Sequence, residues 1–130
     1  MSFLKSAVIS VLIAVLFAAT PAWAASLNGP QKNAVRSAQQ YLSLQGFSRS
    51  GLIGQLSSEY GDAYDVADAT VAVDSLNIDW DKQAARSAKQ YLSIQSFSCK
   101  GLINQLASSA GDGYTESQAV YGAQQTSACQ

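Results

Sequence analysis

Histidine is absent from this chain of 130 residues. The side chain that most often acts as a general base near neutral pH, and most often ligates zinc, is therefore missing. Cysteine occurs twice, with no C-x-x-C spacing, and proline only twice. Charged residues make up 13% of the chain, nearly balanced at eight Lys or Arg against nine Asp or Glu. A nucleic-acid-binding protein usually carries a basic footprint, and none is visible here. Nor can a nucleophile be matched with a base. The expectation is a non-enzymatic protein with no catalytic residues, no metal, no cofactor, no small-molecule substrate and no nucleic-acid partner.

Long apolar runs are also missing, with one exception at the N-terminus. Lys5 is followed by AVISVLIAVLFAA, 13 mostly apolar residues from Ala7 to Ala19, and then by Thr20, Pro21 and Ala22-Trp23-Ala24. A basic start, a short apolar core and an A-x-A site in that order read as a secretory signal peptide. Residues 1–24 are assigned to it, with cleavage between Ala24 and Ala25. The alternative is an uncleaved anchor, but a spanning helix needs about 20 apolar residues. No cysteine lies near the cleavage point to accept a lipid. The exported protein would be periplasmic or cell-surface, without a lipid anchor, and is expected to be a monomer. Losing Lys5 leaves seven cations, nine acids and a net charge near −2.

What the remainder contains is a repeat. Shifted by 50 places, residues 32–64 align without a gap on residues 82–114, and 21 of the 33 positions are identical. Self-similarity at a fixed period marks a structural unit used more than once. The chain is expected to be all-α, a tandem duplication of a three-helix, helix-turn-helix-type unit of about 50 residues, divided as 25–79 and 80–130.

In each unit the first helix carries an apolar stripe, Ala34, Ala38, Tyr41 and Leu42, repeated as Ala84, Ala88, Tyr91 and Leu92. That spacing defines one helix face. Pro30 suits a first helical position, and Asp79 can cap the helix that starts at Trp80. The peptide FSRSGLIGQL, repeated as FSCKGLINQL, reads as a helix start. Ser48 and Ser98 are N-caps, and Phe47 and Phe97 can staple onto Leu52 and Leu102. Gly51 and Gly101 would sit inside the first turn, where glycine costs about 1 kcal/mol against alanine. Close approach to the first helix explains them, with ligand binding as the alternative. A third helix follows the Gly-Asp turns at 61–62 and 111–112. Asp65 is a candidate cap with Val66, Ala69, Val73 and Leu76 as its face, and Thr115 and Gln118 have capping-box spacing. The last helix is expected to be short unless something secures it.

Cys99 and Cys129 stand where the first unit has Arg49 and Asp79. The first unit therefore has a candidate ion pair where the second has its two thiols. In an exported protein a disulfide between them is the default. It would secure the weakly apolar C-terminal segment, closing a loop of about 30 residues for roughly 3–4 kcal/mol. A redox or metal-binding pair is the rival reading.

Four tyrosines near the second turn and third helix, Tyr60, Tyr64, Tyr114 and Tyr121, are the only candidates for a partner-binding surface. Half-buried packing is the preferred alternative for them. DNA binding by the third helix is disfavoured in unit one, where Asp65, Asp68 and Asp74 occur without Lys or Arg.

The pattern A-x-x-SA-x-x-YLS-x-x-x-FS-x-x-GLI-x-QL, followed by D-W-x-x-QA at the junction, resembles the Ltp-like family of host-cell-surface-exposed lipoproteins. Its matching residues are Ala34, Ser37, Ala38, Tyr41 to Ser43, Phe47, Ser48, Gly51 to Ile53, Gln55 and Leu56, with their copies fifty residues on, and Asp79-Trp80. The resemblance implies tandem three-helix units outside the cytoplasmic membrane and a role in phage superinfection exclusion. The implied partner is a phage protein of the DNA-injection machinery, such as a tape-measure protein, with a host envelope protein as the alternative. Two departures are visible. The lipobox cysteine is missing, and Ser57-Ser58-Glu59-Tyr60-Gly61 and Ser108-Ser109-Ala110-Gly111 differ from the family's usual continuation of the motif.

Overall fold

Why five of the six helices start where they do is written in their caps. The computed structural model describes residues 26–130, so the leader and the Ala24–Ala25 cleavage site lie outside the described residues. Every regular element among the described residues is a helix: α1 (Gly29–Leu44), α2 (Arg49–Ser57), α3 (Val66–Ser75), α4 (Trp80–Ile94), α5 (Cys99–Ala107) and α6 (Glu116–Gln124). Asn28 opens α1 through a capping box with Gln31, with Pro30 in the first turn. Ser48 and Ser98 accept from the Gly51 and Gly101 amides at 2.9 Å. Asp79 accepts from Lys82 N–H at 3.1 Å, and Thr115 and Gln118 form the second capping box. These bonds occupy backbone donors that a helix cannot satisfy within itself.

Within each unit the third helix packs on both of the others. Unit one buries Ala38, Leu52, Leu56, Ala69 and Val73, with Tyr41, Leu42, Phe47 and Ile53 half-buried around them. Unit two buries Ala84, Ala88, Leu102, Leu106, Tyr114, Ala119 and Ala123. Phe47 also meets Tyr41 edge-on at 5.9 Å, and Phe97 meets Tyr91 at 5.7 Å. Small residues on the first helix let the third approach closely. The closest approach is made from the third-helix side at Gly122, where an added Cβ would lie 2.5 Å from the backbone carbon of Ala84. No helix among the described residues is long and apolar enough to cross a membrane.

Four sequence expectations need correction. Arg49 pairs with Asp74, not Asp79, through two hydrogen bonds of 2.7 and 2.9 Å. Asp79 faces the start of α4, whereas Asp74 lies one turn back on α3, which packs against α2. Asp65 precedes α3 without a side-chain capping bond. Val66 is exposed, and Ala72 takes its place on the buried face. Finally, Gly51 and Gly101 are not explained by approach to the first helix. A Cβ there would sit 2.9 Å from the hydroxyl of the capping serine, so glycine protects the cap itself.

Cys99 and Cys129 are joined, with their α-carbons 4.8 Å apart. The bond ties the start of α5 to the segment that follows α6.

The candidate partner-binding cleft

The two units meet through a loop, and the sequence of that loop explains how. Residues 45–48 of unit one lie against α4 and the 111–113 turn of unit two. Gly46 N–H donates to Gln90 Oε1 at 3.0 Å, and Phe47 N–H donates to Gln83 Oε1 at 3.3 Å. The Ser48 hydroxyl donates to the Asp112 carbonyl, and the Ser50 hydroxyl to the Gly113 carbonyl at 2.9 Å. In return, the Arg86 guanidinium donates to the Leu42 carbonyl. Gly46 is buried because the backbone of α4 passes over it. A Cβ at this position would lie 2.5 Å from Ser87 Oγ and 2.9 Å from the Gln83 carbonyl oxygen. Gly113 adopts a φ of +73°, in the left-handed region that suits glycine.

Beside this joint lies a cleft of about 190 Å³, lined by Gln45, Gly46, Ser87, Gln90, Tyr91, Ile94 and Asp112. A smaller hollow of about 150 Å³ shares Gln45, Gly46 and Asp112 with it. The Tyr91 hydroxyl donates to Asp112 Oδ1 and accepts from Gln105 Nε2 at 3.2 Å. Burial pushes the Asp112 carboxyl above the usual carboxylate range, against the opposing effect of the Tyr91 hydrogen bond. Burial also raises the Tyr91 phenol, and its bond to Asp112 adds to the effect. At the rim Ile94 is 80% exposed. A half-buried carboxylate, two amide side chains and one exposed aliphatic residue, Ile94, form a set suited to holding a protein side chain.

The tyrosine candidates do not assemble into one surface. Tyr114 is buried, its hydroxyl 2.7 Å from Ser87 Oγ, and burial raises its phenol strongly. Tyr64 is half-buried, with its hydroxyl 3.1 Å from Ser37 Oγ. Both are packing residues that fasten the third-helix approach to the first helix. Tyr60 is fully exposed in the turn after α2, and Tyr121 is exposed on α6. The cleft residues Gly46, Gln90 and Asp112 were not singled out as a site from sequence. The only trace in the repeat is that Gly46 is matched by Ser96, and Gly54 is matched by Asn104 in the same way with nothing packed on it, so the difference points to the joint only once the fold is known.

The family described as host cell surface-exposed lipoprotein matches the chain twice, over residues 30–76 and 79–125. Among curated proteins, no relative matches. A solved structure, that of Ltp, a superinfection exclusion protein from the Streptococcus thermophilus temperate phage TP-J34, is similar with a TM-score of 0.66 and 33% identity. The similarity covers 74% of this chain and 94% of that one. Two tandem matches, each falling on a three-helix unit, establish that this chain belongs to the family of host cell surface-exposed lipoproteins.

Proposed function

We propose that this protein is exported and excludes superinfecting phages by binding a component of their DNA-injection machinery. The observation that carries this reading is the likeness, over 74% of this chain and 94% of the other, to a superinfection exclusion protein of a temperate phage. The cleft between the units supplies a surface of the right kind. Its carboxylate, amides and exposed Ile94 suit a segment of a phage protein, with a cationic side chain directed toward Asp112. The Cys99–Cys129 bond is consistent with an oxidising compartment, where such bonds persist. Export through the leader 1–24 would yield a mature protein beginning at Ala25, recovered from the periplasm or the cell surface. Intact mass of the exported protein checks this, and retention of the full-length mass would replace cleavage with an N-terminal anchor.

A protein outside the cytoplasmic membrane cannot repress phage genes, so protection must act at or before DNA passage into the cell. Expression of the exported form is expected to leave adsorption unchanged while lowering the plating of a subset of phages. Phage DNA introduced by electroporation should escape the block, and deletion of residues 1–24 should abolish it. Equal plating of a broad phage panel with and without the protein would overturn this reading in favour of an envelope-binding module.

A further inference from the structure

The two units differ in the charges they carry, and the first and third helices are where this difference shapes the surface. Unit one, residues 25–79, has three cations, Lys32, Arg36 and Arg49, against six acids. Unit two, residues 80–130, has four, Lys82, Arg86, Lys89 and Lys100, against three acids, Asp81, Asp112 and Glu116. On the third helix and its cap, Asp65, Asp68 and Asp74 of unit one are matched by Thr115, Gln118 and Gln124 in unit two. On the first helix Gln39 is matched by Lys89, and on the third Val71 is matched by Tyr121.

The result is a shallow groove between α4 and α6 lined by Lys82, Ala85, Arg86, Lys89, Tyr121 and Gln125, with no acid among them. The three cations recur at i, i+4 and i+7, a single stripe about 10 Å long on one helix face. Lys82 and Lys89 are exposed, while Arg86 commits one N–H to the Leu42 carbonyl. Asp81 lies beside Lys82 in the first turn of α4 but does not line the groove. Tyr121 is 40% exposed and offers an apolar ring with a polar tip.

We propose that this face of unit two docks on anionic phospholipid headgroups. The inference rests on the surface location in the proposed function, but not on any phage partner. Charge complementarity selects an anionic surface, and each Lys or Arg near such a surface adds to its attraction. The tyrosine selects a lipid interface over a soluble polyanion, because its ring and hydroxyl match the apolar-to-polar gradient at headgroup depth.

The full exported protein is tested by co-sedimentation with phosphatidylcholine vesicles, with and without phosphatidylglycerol, at low ionic strength. Binding is expected only with phosphatidylglycerol and should weaken as salt is raised. Lys82→Gln with Lys89→Gln should reduce it about 25-fold, taking about fivefold for each cation. Lys82→Arg with Lys89→Arg should preserve it, and Tyr121→Val should weaken it. Lys32→Gln, the counterpart of Lys82 on unit one, should have no effect, which separates this face from net charge. The proposal is overturned if phosphatidylglycerol gives no preference, if Lys32→Gln costs as much as Lys82→Gln, or if inorganic polyphosphate is bound while the vesicles are not. Each of these outcomes is independent of phage plating.

Discussion

Unit one and unit two close their ends by different means. After α3, Leu76, Ile78 and Trp80 fold back onto the core of unit one. Asn77 turns the chain there with a φ of 50°, a conformation asparagine tolerates better than most residues. Trp80 is also the first residue of α4, so the start of unit two helps to seal unit one. The corresponding stretch of unit two, TSACQ, has little apolar surface to bury. There Thr126 is buried with its hydroxyl donating to the Ala123 carbonyl at 2.7 Å, and the Cys99–Cys129 bond fastens the segment covalently. The comparison teaches that one helical scaffold accepts either apolar burial or a cross-link at the same place.

The sharpest way to break that comparison is Cys129→Ser. Loss of a cross-link closing about 30 residues is expected to cost about 3–4 kcal/mol, lowering the melting temperature by on the order of 15 °C. Hydrogen exchange should place the loss in α4–α6. A small shift, or equal loss of protection in α1–α3, would show that the bond does not hold unit two selectively.

Trp80→Ala tests the other closure. The side chain is half-buried, so a cost of about 2–3 kcal/mol is expected, below the range for a fully buried tryptophan. Faster exchange should appear first in unit one, although the residue belongs to a helix of unit two. Loss confined to α4 would mean that Trp80 does not seal the preceding unit.

The joint between the units is probed by Gly46→Ser, which installs the residue found at the matching position 96. Crowding against the α4 backbone should cost about 1–3 kcal/mol and expose the amides of residues 46 and 47 to exchange. Ser96→Gly should be nearly neutral, because Ser96 is exposed. Similar effects from the two exchanges would remove the asymmetry on which the cleft depends.

The smallest effect belongs to the Arg49–Asp74 pair, whose side chains are about half exposed. Arg49→Ala should cost less than about 1 kcal/mol, since exposed ion pairs contribute little. Its pH dependence is nonetheless informative. The Arg49 hydrogen bond lowers the Asp74 carboxyl, so this contribution is present above the unfolded carboxylate range and is lost as pH falls through the folded value. Asp112 is raised by burial, so its contribution is greatest at acid pH and declines as pH rises through its elevated value. Acidification should therefore weaken the α2–α3 contact of unit one while favouring the protonated cleft of unit two. Melting curves of Asp74→Asn and Asp112→Asn across the carboxylate range should deviate from the parent in opposite directions.

The helical units were legible because their information is local. Ser48, Ser98 and the Thr115–Gln118 box each act on backbone groups within the next three residues, and the alanine stripes of α1 and α4 follow helical periodicity. Errors arose where the partner lay on another element. The choice between Asp74 and Asp79 for Arg49 depends on how α3 crosses α2, and Asp65 has cap chemistry without cap geometry. The preference for packing fits Tyr64 and Tyr114, but which of the four tyrosines are packed depends on the helix face that stands opposite each one.

The sequence by itself determined the duplication, the start of most of the helices, the apolar stripes and the resemblance to a family. All of these follow from short-range spacing that survives a shift of fifty residues. Only the tertiary structure decided that unit one docks on unit two through Gly46, that Asp112 lies half-buried in the cleft between them, and that Lys82, Arg86, Lys89 and Tyr121 share one groove. The reason is physical. A repeat writes the same local instructions twice, but the contact between its copies joins different faces, so its geometry is fixed by the few residues that differ and by the packing that brings them together.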